Sequence, residues 1–362
     1  MKTKTSKIMS ISILIAILSL SLFGCSALNP PADKVTVQLS WFPSVEYAGF
    51  YAALENGYYA EENIEVTLVP GGPEATPLDD VNSGKAQFGI TTGDSLIIAK
   101  SNNQNYVAVA TIFRQNPLVI MALSSGTVSK PEDLAGKTVG VIAPDLSTTY
   151  DVQLLSLLRK LNIDQSGITF EAIDDYNGAS ELTDGNMDAM SGMFATNEPV
   201  QAIMAGNDLN LIYYKDYGVD VYANVLFTSE EFLQNNPDLI SRMVKATMKG
   251  YQFSLENPDK AAEFAVKYDP TLDLKFQTNV MIAQIPIIDT GDAAIGSMDA
   301  DVWETTQQIL LDFNLIRCTN RFDHSLHKSI YQSIRSAFRK RHKSYDTNKI
   351  FHTGKYSEQD IS

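Results

Sequence analysis

The sequence predicts an α/β protein made of two open α/β lobes with a ligand cleft between them. Three observations predict it. Short apolar or alternating runs of strand character recur between segments of helical spacing, the pattern of an open α/β sheet. That pattern restarts once, at Ser129-Lys130-Pro131. The chain has 362 residues, 44% hydrophobic and 20% charged, which suits two globular lobes and excludes a disordered or collagen-like chain.

Composition narrows the partners. There are 43 acids against 28 Lys+Arg, a net charge of −15. Duplex nucleic acid is bound through many Lys/Arg–phosphate contacts, so it is not expected as a partner. Two cysteines cannot build a disulfide framework or a four-thiolate zinc site.

The elements follow in chain order. Lys2, Lys4 and Lys7 precede an apolar run over residues 8–23. That run is shorter than the roughly 20 residues of a spanning helix, and reads as a signal peptide over residues 1–24. Leu22-Phe23-Gly24-Cys25 resembles a bacterial lipobox. The expectation is cleavage before Cys25, lipidation of its sulfur, and a location on the extracytoplasmic face of the cell membrane. Residues 25–34 would be a tether.

Strands are expected at Val35–Ser40, Ile64–Val69, Ala86–Ile90, Val107–Phe113 and Leu118–Ser124. Helices are expected at Val45–Asn56, stopped by Gly57, at Pro77–Asn82, and from Asp94, read as a cap, to Ser101. The second unit holds strands at Val139–Ile142, Ile168–Ala172, Met187–Met193 and Leu209–Tyr213. Its helices are Tyr150–Leu161, Ala179–Asp184 and Glu198–Met204. Val221–Thr228 reads as a further strand. Helices then follow at Ser229–Asn235, Pro237–Glu256, Pro258–Tyr268 and Asp299–Phe313. The expected division is residues 35–125 and 222–316 for the first lobe, and 126–221 for the second.

Four motifs carry a sharper resemblance. They are Trp41-Phe42-Pro43-Ser44-Val45-Glu46-Tyr47-Ala48-Gly49-Phe50-Tyr51, Glu55-Asn56-Gly57-Tyr58-Tyr59-Ala60-Glu61-Glu62-Asn63-Ile64, Pro70-Gly71-Gly72, and Ser83-Gly84-Lys85-Ala86-Gln87-Phe88-Gly89. Over about residues 35–316 the chain resembles the family of periplasmic binding proteins that deliver thiamine pyrimidine precursors to ABC importers. That family also includes riboflavin binders, sulfonate binders and the fungal thiamine pyrimidine synthases. The resemblance implies a bilobal periplasmic-binding-protein fold, type II-like. It also implies a small heterocyclic ligand, an ABC permease as partner, and a monomer held to the membrane only by its lipid.

The site residues follow from that frame. Open α/β sheets bind ligands beyond the carboxyl ends of their strands. Trp41 stands directly after a strand, and Trp41, Phe42 and Tyr47 could wall a slot for a planar ring. The alternative is that these rings pack the lobe. Gly71 would let backbone N–H groups face the cleft. Thr92 and Asp94 open a helix where polar or anionic groups can bind; an ordinary helix cap is the other reading. Arg114 lies in the crossing between lobes, placed to pair with an acid or reach a ligand. Phe194-Ala195-Thr196-Asn197-Glu198 follows a strand and resembles the stretch that supplies a carboxylate to the pyrimidine. Glu198, with Asn197 beside it, would accept hydrogen bonds from an aminopyrimidine. The alternative is that Glu198 only complements its own helix dipole.

An enzyme is not expected. The synthase relatives use a pyridoxal-phosphate-bearing lysine and a sacrificial histidine. Thr91 and Ser95 stand at the corresponding places, and Gly218–Tyr222 replaces a cysteine-rich stretch. His324, His327, His342 and His352, the four histidines, all lie beyond the resemblance. No cofactor and no metal are expected. Riboflavin is the alternative ligand, and a sulfonate such as taurine a further one.

Residues 317–362 depart from the pattern. They carry ten Lys+Arg against four acids. The expectation is an atypical basic tail, from a shifted frame or a fusion, in place of the family's usual ending.

Overall fold

The computed structural model describes residues 30–72, 74–174 and 179–317. Contacts divide the chain into Met1–Asp33 and a main unit from Lys34, to which both lobes belong. Cys25, the apolar run before it and the basic tail after Arg317 lie outside the described residues. Among the described residues no helix is long and apolar enough to cross a membrane.

Among the described residues ten strands form two sheets. They are β1 (Asp33–Gln38), β2 (Ile64–Val69), β3 (Phe88–Thr91), β4 (Tyr106–Thr111), β5 (Leu118–Leu123), β6 (Thr138–Val141), β7 (Thr169–Ala172), β8 (Ala189–Phe194), β9 (Leu209–Tyr213) and β10 (Val225–Ser229). The first sheet has the order β2-β1-β3-β10-β4 and the second β7-β6-β8-β5-β9. In the first, β1 and β3 are parallel, and β10 runs antiparallel between β3 and β4. In the second, β6 is parallel to β7 and β8, and β5 runs antiparallel between β8 and β9. Each sheet thus receives one antiparallel strand through a crossing from the other lobe.

This corrects one boundary. The first lobe was expected to run to residue 125, which would include β5. Leu118–Leu123 pairs instead with β8 and β9 of the second sheet, so the chain crosses between β4 and β5. Strand character alone does not reveal a partner, and β5 is apolar throughout because it is buried on both faces.

The crossings are held by side chains. Asn116 donates to Gln153 Oε1 (2.8 Å) and Val219 O (3.0 Å), and its N–H donates to Asp220 (2.8 Å). Ile112 N–H donates to Asn224 O at 3.0 Å, and Gly93 N–H to Tyr222 O at 2.8 Å.

Helices pack around the first sheet. Pro237–Glu256 packs on Ala48–Glu55, crossing where Gly49 meets Gly250. A Cβ on Gly250 would lie 1.9 Å from Gly49 O, so only glycine permits this approach. The helix Leu274–Ile288 was not anticipated from the sequence. It contains Pro286 and long apolar stretches, which blur helical spacing and signal a break. The helix Ala300–Asp312 lies on both lobes. Trp303 and Leu310 join a first-lobe core cluster, while Ile309 joins the second-lobe core.

Candidate functional site

The cleft side chains leave the carboxyl ends of the strands. After β1 come Trp41 and Phe42, 49% and 52% exposed among a buried lobe. Their rings meet edge to face with centroids 5.3 Å apart. Gly71, after β2, donates its N–H to Trp41 O at 2.9 Å. A Cβ there would lie 2.4 Å from Leu39 O and Trp41 N. Gly71 therefore lets one loop lie flat against the other and positions Trp41; nothing in its contacts is aimed at a ligand. A Cβ on Gly72 would lie 3.1 Å from the Phe42 ring.

Tyr47 differs from its expected place on the wall. It is fully buried in the first-lobe core. Its hydroxyl accepts from Trp41 N–H (2.9 Å) and is 2.9 Å from Ser40 Oγ. It braces the loop that carries Trp41. Burial holds its hydroxyl well above the ordinary tyrosine pKa.

Arg114 also differs. Its guanidinium is buried and turned toward residues 290–299, donating to Asp292 (2.6 Å), Asp299 (2.8 Å), Ser297 O (3.4 Å) and Thr290. It locks the crossing to the C-terminal segment. Of the two readings the sequence allowed, pairing with acids is the one realised.

Thr92 precedes the helix Gly93–Ser101, and Asp94 sits inside its first turn, not at the cap. The Asp94 carboxylate accepts from Ser95 N–H (2.7 Å) and the Thr92 hydroxyl. Burial raises its pKa; hydrogen bonds from Thr92, Ser95 and the second lobe's Thr149 pull it back. The two lobes therefore meet at Asp94.

From the second lobe, Glu198 opens the helix Glu198–Met204, which follows β8. Its Oε2 accepts from Phe194 N–H and its Oε1 from Asn197 Nδ2, both at 2.9 Å. Burial raises its pKa, against hydrogen bonds from Asn197 and the backbone. Asn197 is exposed. Phe194 stands edge to face with Tyr150, centroids 6.0 Å apart. Val200, on the same helix, joins the first-lobe core, and Met204 Sδ accepts from Asn279 at 3.1 Å. These contacts bring Glu198 against the first lobe.

Sequence reasoning did not single out Glu46, Tyr150 or Asn224, and named Phe194 only as the start of the Glu198 stretch. Glu46 projects from the turn Val45–Tyr47. Its Oε1 accepts from Asn224 Nδ2 at 2.7 Å. Desolvation, helped by the charge of Glu198, raises its pKa to about 7, against hydrogen bonds from Asn224 and Tyr47. Tyr150 is shifted upward by burial and then by Asp94, Glu46 and Glu198. Three carboxylates from two lobes thus act on one tyrosine through their charge. Among the described residues no group of His, Cys, Asp or Glu is close enough to hold a metal ion. The signal for Glu46 lay inside the Trp41 motif, which was read for its rings.

Residues 44–261 match the family described as NMT1/THI5 like. The chain belongs to that family. It is 27% identical over 296 residues to the riboflavin-binding protein RibY of Chloroflexus aurantiacus, covering 78% of this chain and 81% of that one. It is 26% identical over 306 residues to the formylaminopyrimidine-binding protein of Halalkalibacterium halodurans, covering 83% and 92%. A 4-amino-5-hydroxymethyl-2-methylpyrimidine phosphate synthase of Legionella pneumophila is 22% identical over 310 residues, covering 82% and 94%. Among solved structures, the periplasmic aliphatic sulphonate binding protein SsuA of Escherichia coli superposes with TM-score 0.64 at 14% identity, covering 82% of this chain and 99% of that one. The fold is that of the periplasmic binding proteins, with two α/β lobes.

Proposed function

We propose that this protein is the solute-binding component of an ABC importer, lipid-anchored at Cys25, and that it captures a thiamine pyrimidine precursor of the formylaminopyrimidine type. The observation that carries the reading is the arrangement of the cleft. An exposed aromatic pair, Trp41 and Phe42, stands at a strand end of one lobe. Glu198 stands beside Phe194 and Tyr150 at a strand end of the other. A planar heterocycle stacks on the rings while its N–H groups donate to the carboxylate. Lobe closure then buries it.

Riboflavin is the second reading, favoured by the two exposed rings of Trp41 and Phe42, either of which offers a stacking partner to an isoalloxazine. A sulfonate fits poorly, because the charges that bear on Tyr150 are all acids: Asp94, Glu46 and Glu198. Synthase chemistry lacks its groups: Thr91 and Ser95 offer neither an amine for a Schiff base nor an imidazole.

A thermal-shift panel with formylaminopyrimidine, riboflavin and taurine tests this, since a ligand of the native state alone raises the melting temperature. A rise with the pyrimidine supports the reading. A rise with riboflavin alone moves the protein to flavin uptake, and a rise with none overturns the ligand class.

A further inference from the structure

Glu46 is the residue of the cleft that the proposed reading leaves without a task. It comes from the first lobe, whereas Glu198 comes from the second. Asn224, next to the crossing into β10, fixes one of its oxygens at 2.7 Å. Tyr251 donates to the backbone oxygen of the same residue at 3.1 Å. The turn is thus clamped from two sides, and the carboxylate is aimed by a residue that sits where the lobes join.

We propose that Glu46 is a specificity-determining residue, paired across the cleft with Glu198, and that the pair selects a protonated aminopyrimidine ring gripped by one carboxylate on each side. The inference rests on the reading that the cleft binds a nitrogen heterocycle. Its chemistry is that of the ring. A 4-aminopyrimidine protonated at N1 carries one N–H donor at N1 and two more on the amino group across the ring. Two carboxylates from opposite lobes match donors on opposite edges. An isoalloxazine ring presents one N–H between two carbonyl oxygens, and those oxygens repel carboxylates. Two carboxylates also repel a sulfonate.

The proton has a source in the empty cleft. Burial and Glu198 raise the Glu46 pKa to about 7, so near neutrality the carboxyl keeps a proton that it can hand to the ring. The O–H bond of Glu46 breaks and its electron pair stays on the carboxylate, an N–H bond forms from the ring N1 lone pair, and two neutral groups become a carboxylate–pyrimidinium pair. No proton is gained or lost overall. The groups that act on Glu46 are Asn224 and Tyr47 by hydrogen bond and Glu198 by charge. Tyr51, Tyr150 and Tyr251 feel its charge in turn.

Isothermal titration of the mature chain with formylaminopyrimidine and with riboflavin, between pH 5 and pH 9, decides the matter. The expected result is pyrimidine binding that weakens about tenfold per pH unit above pH 7, where the proton must be drawn from solvent. Glu46→Gln should weaken pyrimidine binding about 10–100-fold and weaken riboflavin binding less. If Glu46→Gln does not fold, the wild-type pH profile alone serves as the test: a flat profile up to pH 9 overturns the proposal. Pyrimidine binding unchanged in Glu46→Gln overturns the role of Glu46 and leaves the proposed function standing. Binding of riboflavin but not the pyrimidine overturns the inference and keeps a binding protein. Binding of neither overturns both.

Discussion

The two lobes share a topology and differ in what they place at its end. In each sheet a third parallel strand runs into a helix, and an acid stands in the first turn: Asp94 after β3, Glu198 after β8. Asp94 is 2% exposed and closed upon its own turn, with Thr149 of the other lobe against it. Glu198 is only half-buried, and its two bonds leave acceptor capacity on each oxygen. Equivalent positions in the two sheets thus differ: one acid is closed upon its own turn, and the other keeps acceptor capacity. The same holds for the first loops. That of the first lobe carries exposed rings, braced by buried Tyr47. In the second lobe, Asp151 accepts from the N–H groups of Ile142 and Ala143, both at 3.1 Å.

Substitutions can break or sharpen this comparison. The largest effect is expected at the helix crossing that only the first lobe has. Gly250→Ala forces a Cβ within 1.9 Å of Gly49 O, and should destabilise the protein by more than about 3 kcal/mol in urea unfolding. Arg114→Met removes the buried lock between the crossing and residues 290–299. The two acids it meets, Asp292 and Asp299, are well exposed, so the loss should be smaller, about 2 kcal/mol, with ligand affinity nearly unchanged by titration.

The equivalent acids separate stability from binding. Glu198→Gln should weaken the pyrimidine about 10–100-fold and leave the melting temperature within a few degrees. Asp94→Asn should do the reverse; equal effects of the two on affinity would erase the distinction drawn above. Trp41→Ala should weaken binding about tenfold while leaving stability within about 0.5 kcal/mol, because the ring is exposed.

The smallest effect is on pH. The folded-state pKa of Glu46 lies above its unfolded value, so the native state holds more protons between pH 4.5 and about 7. Stability of the ligand-free protein therefore falls as pH rises through that window. Asp94 and Glu198, also raised, act in the same direction. The melting temperature should be about 2–5 °C lower at pH 8 than at pH 5.5, and Glu46→Gln should flatten part of that slope.

Much of the fold was legible because strands and helices announce themselves locally. All ten strands fall within or beside the segments read from apolar alternation. What was not legible is who pairs with whom. The β5 boundary needed the sheet order, and Arg114 finds its acids 178 and 185 residues away. The site was half legible. Trp41, Asn197 and Glu198 stand at strand ends as expected. Of the two readings open for Tyr47, packing in the lobe is the one realised, and an aromatic motif does not say which ring turns inward. Glu46 was passed over because a single acid among rings has no spacing to betray it; its meaning comes from Glu198 and Asn224, more than 150 residues away.

The sheet order has a consequence for how the polypeptide is made. The second sheet is contiguous, from Leu118 to Tyr213, so it can assemble as soon as it has left the machinery that delivers it. The first sheet cannot. β4 finds its neighbour only in β10, whose first residue is Val225, more than a hundred residues later. Until then β4 and β3 expose unsatisfied apolar edges, which are templates for aggregation. The nascent chain thus passes through a stage in which the second sheet can already be paired while the strands of the first wait for β10, and a holding chaperone acting on residues 33–111 would have its longest useful contact there.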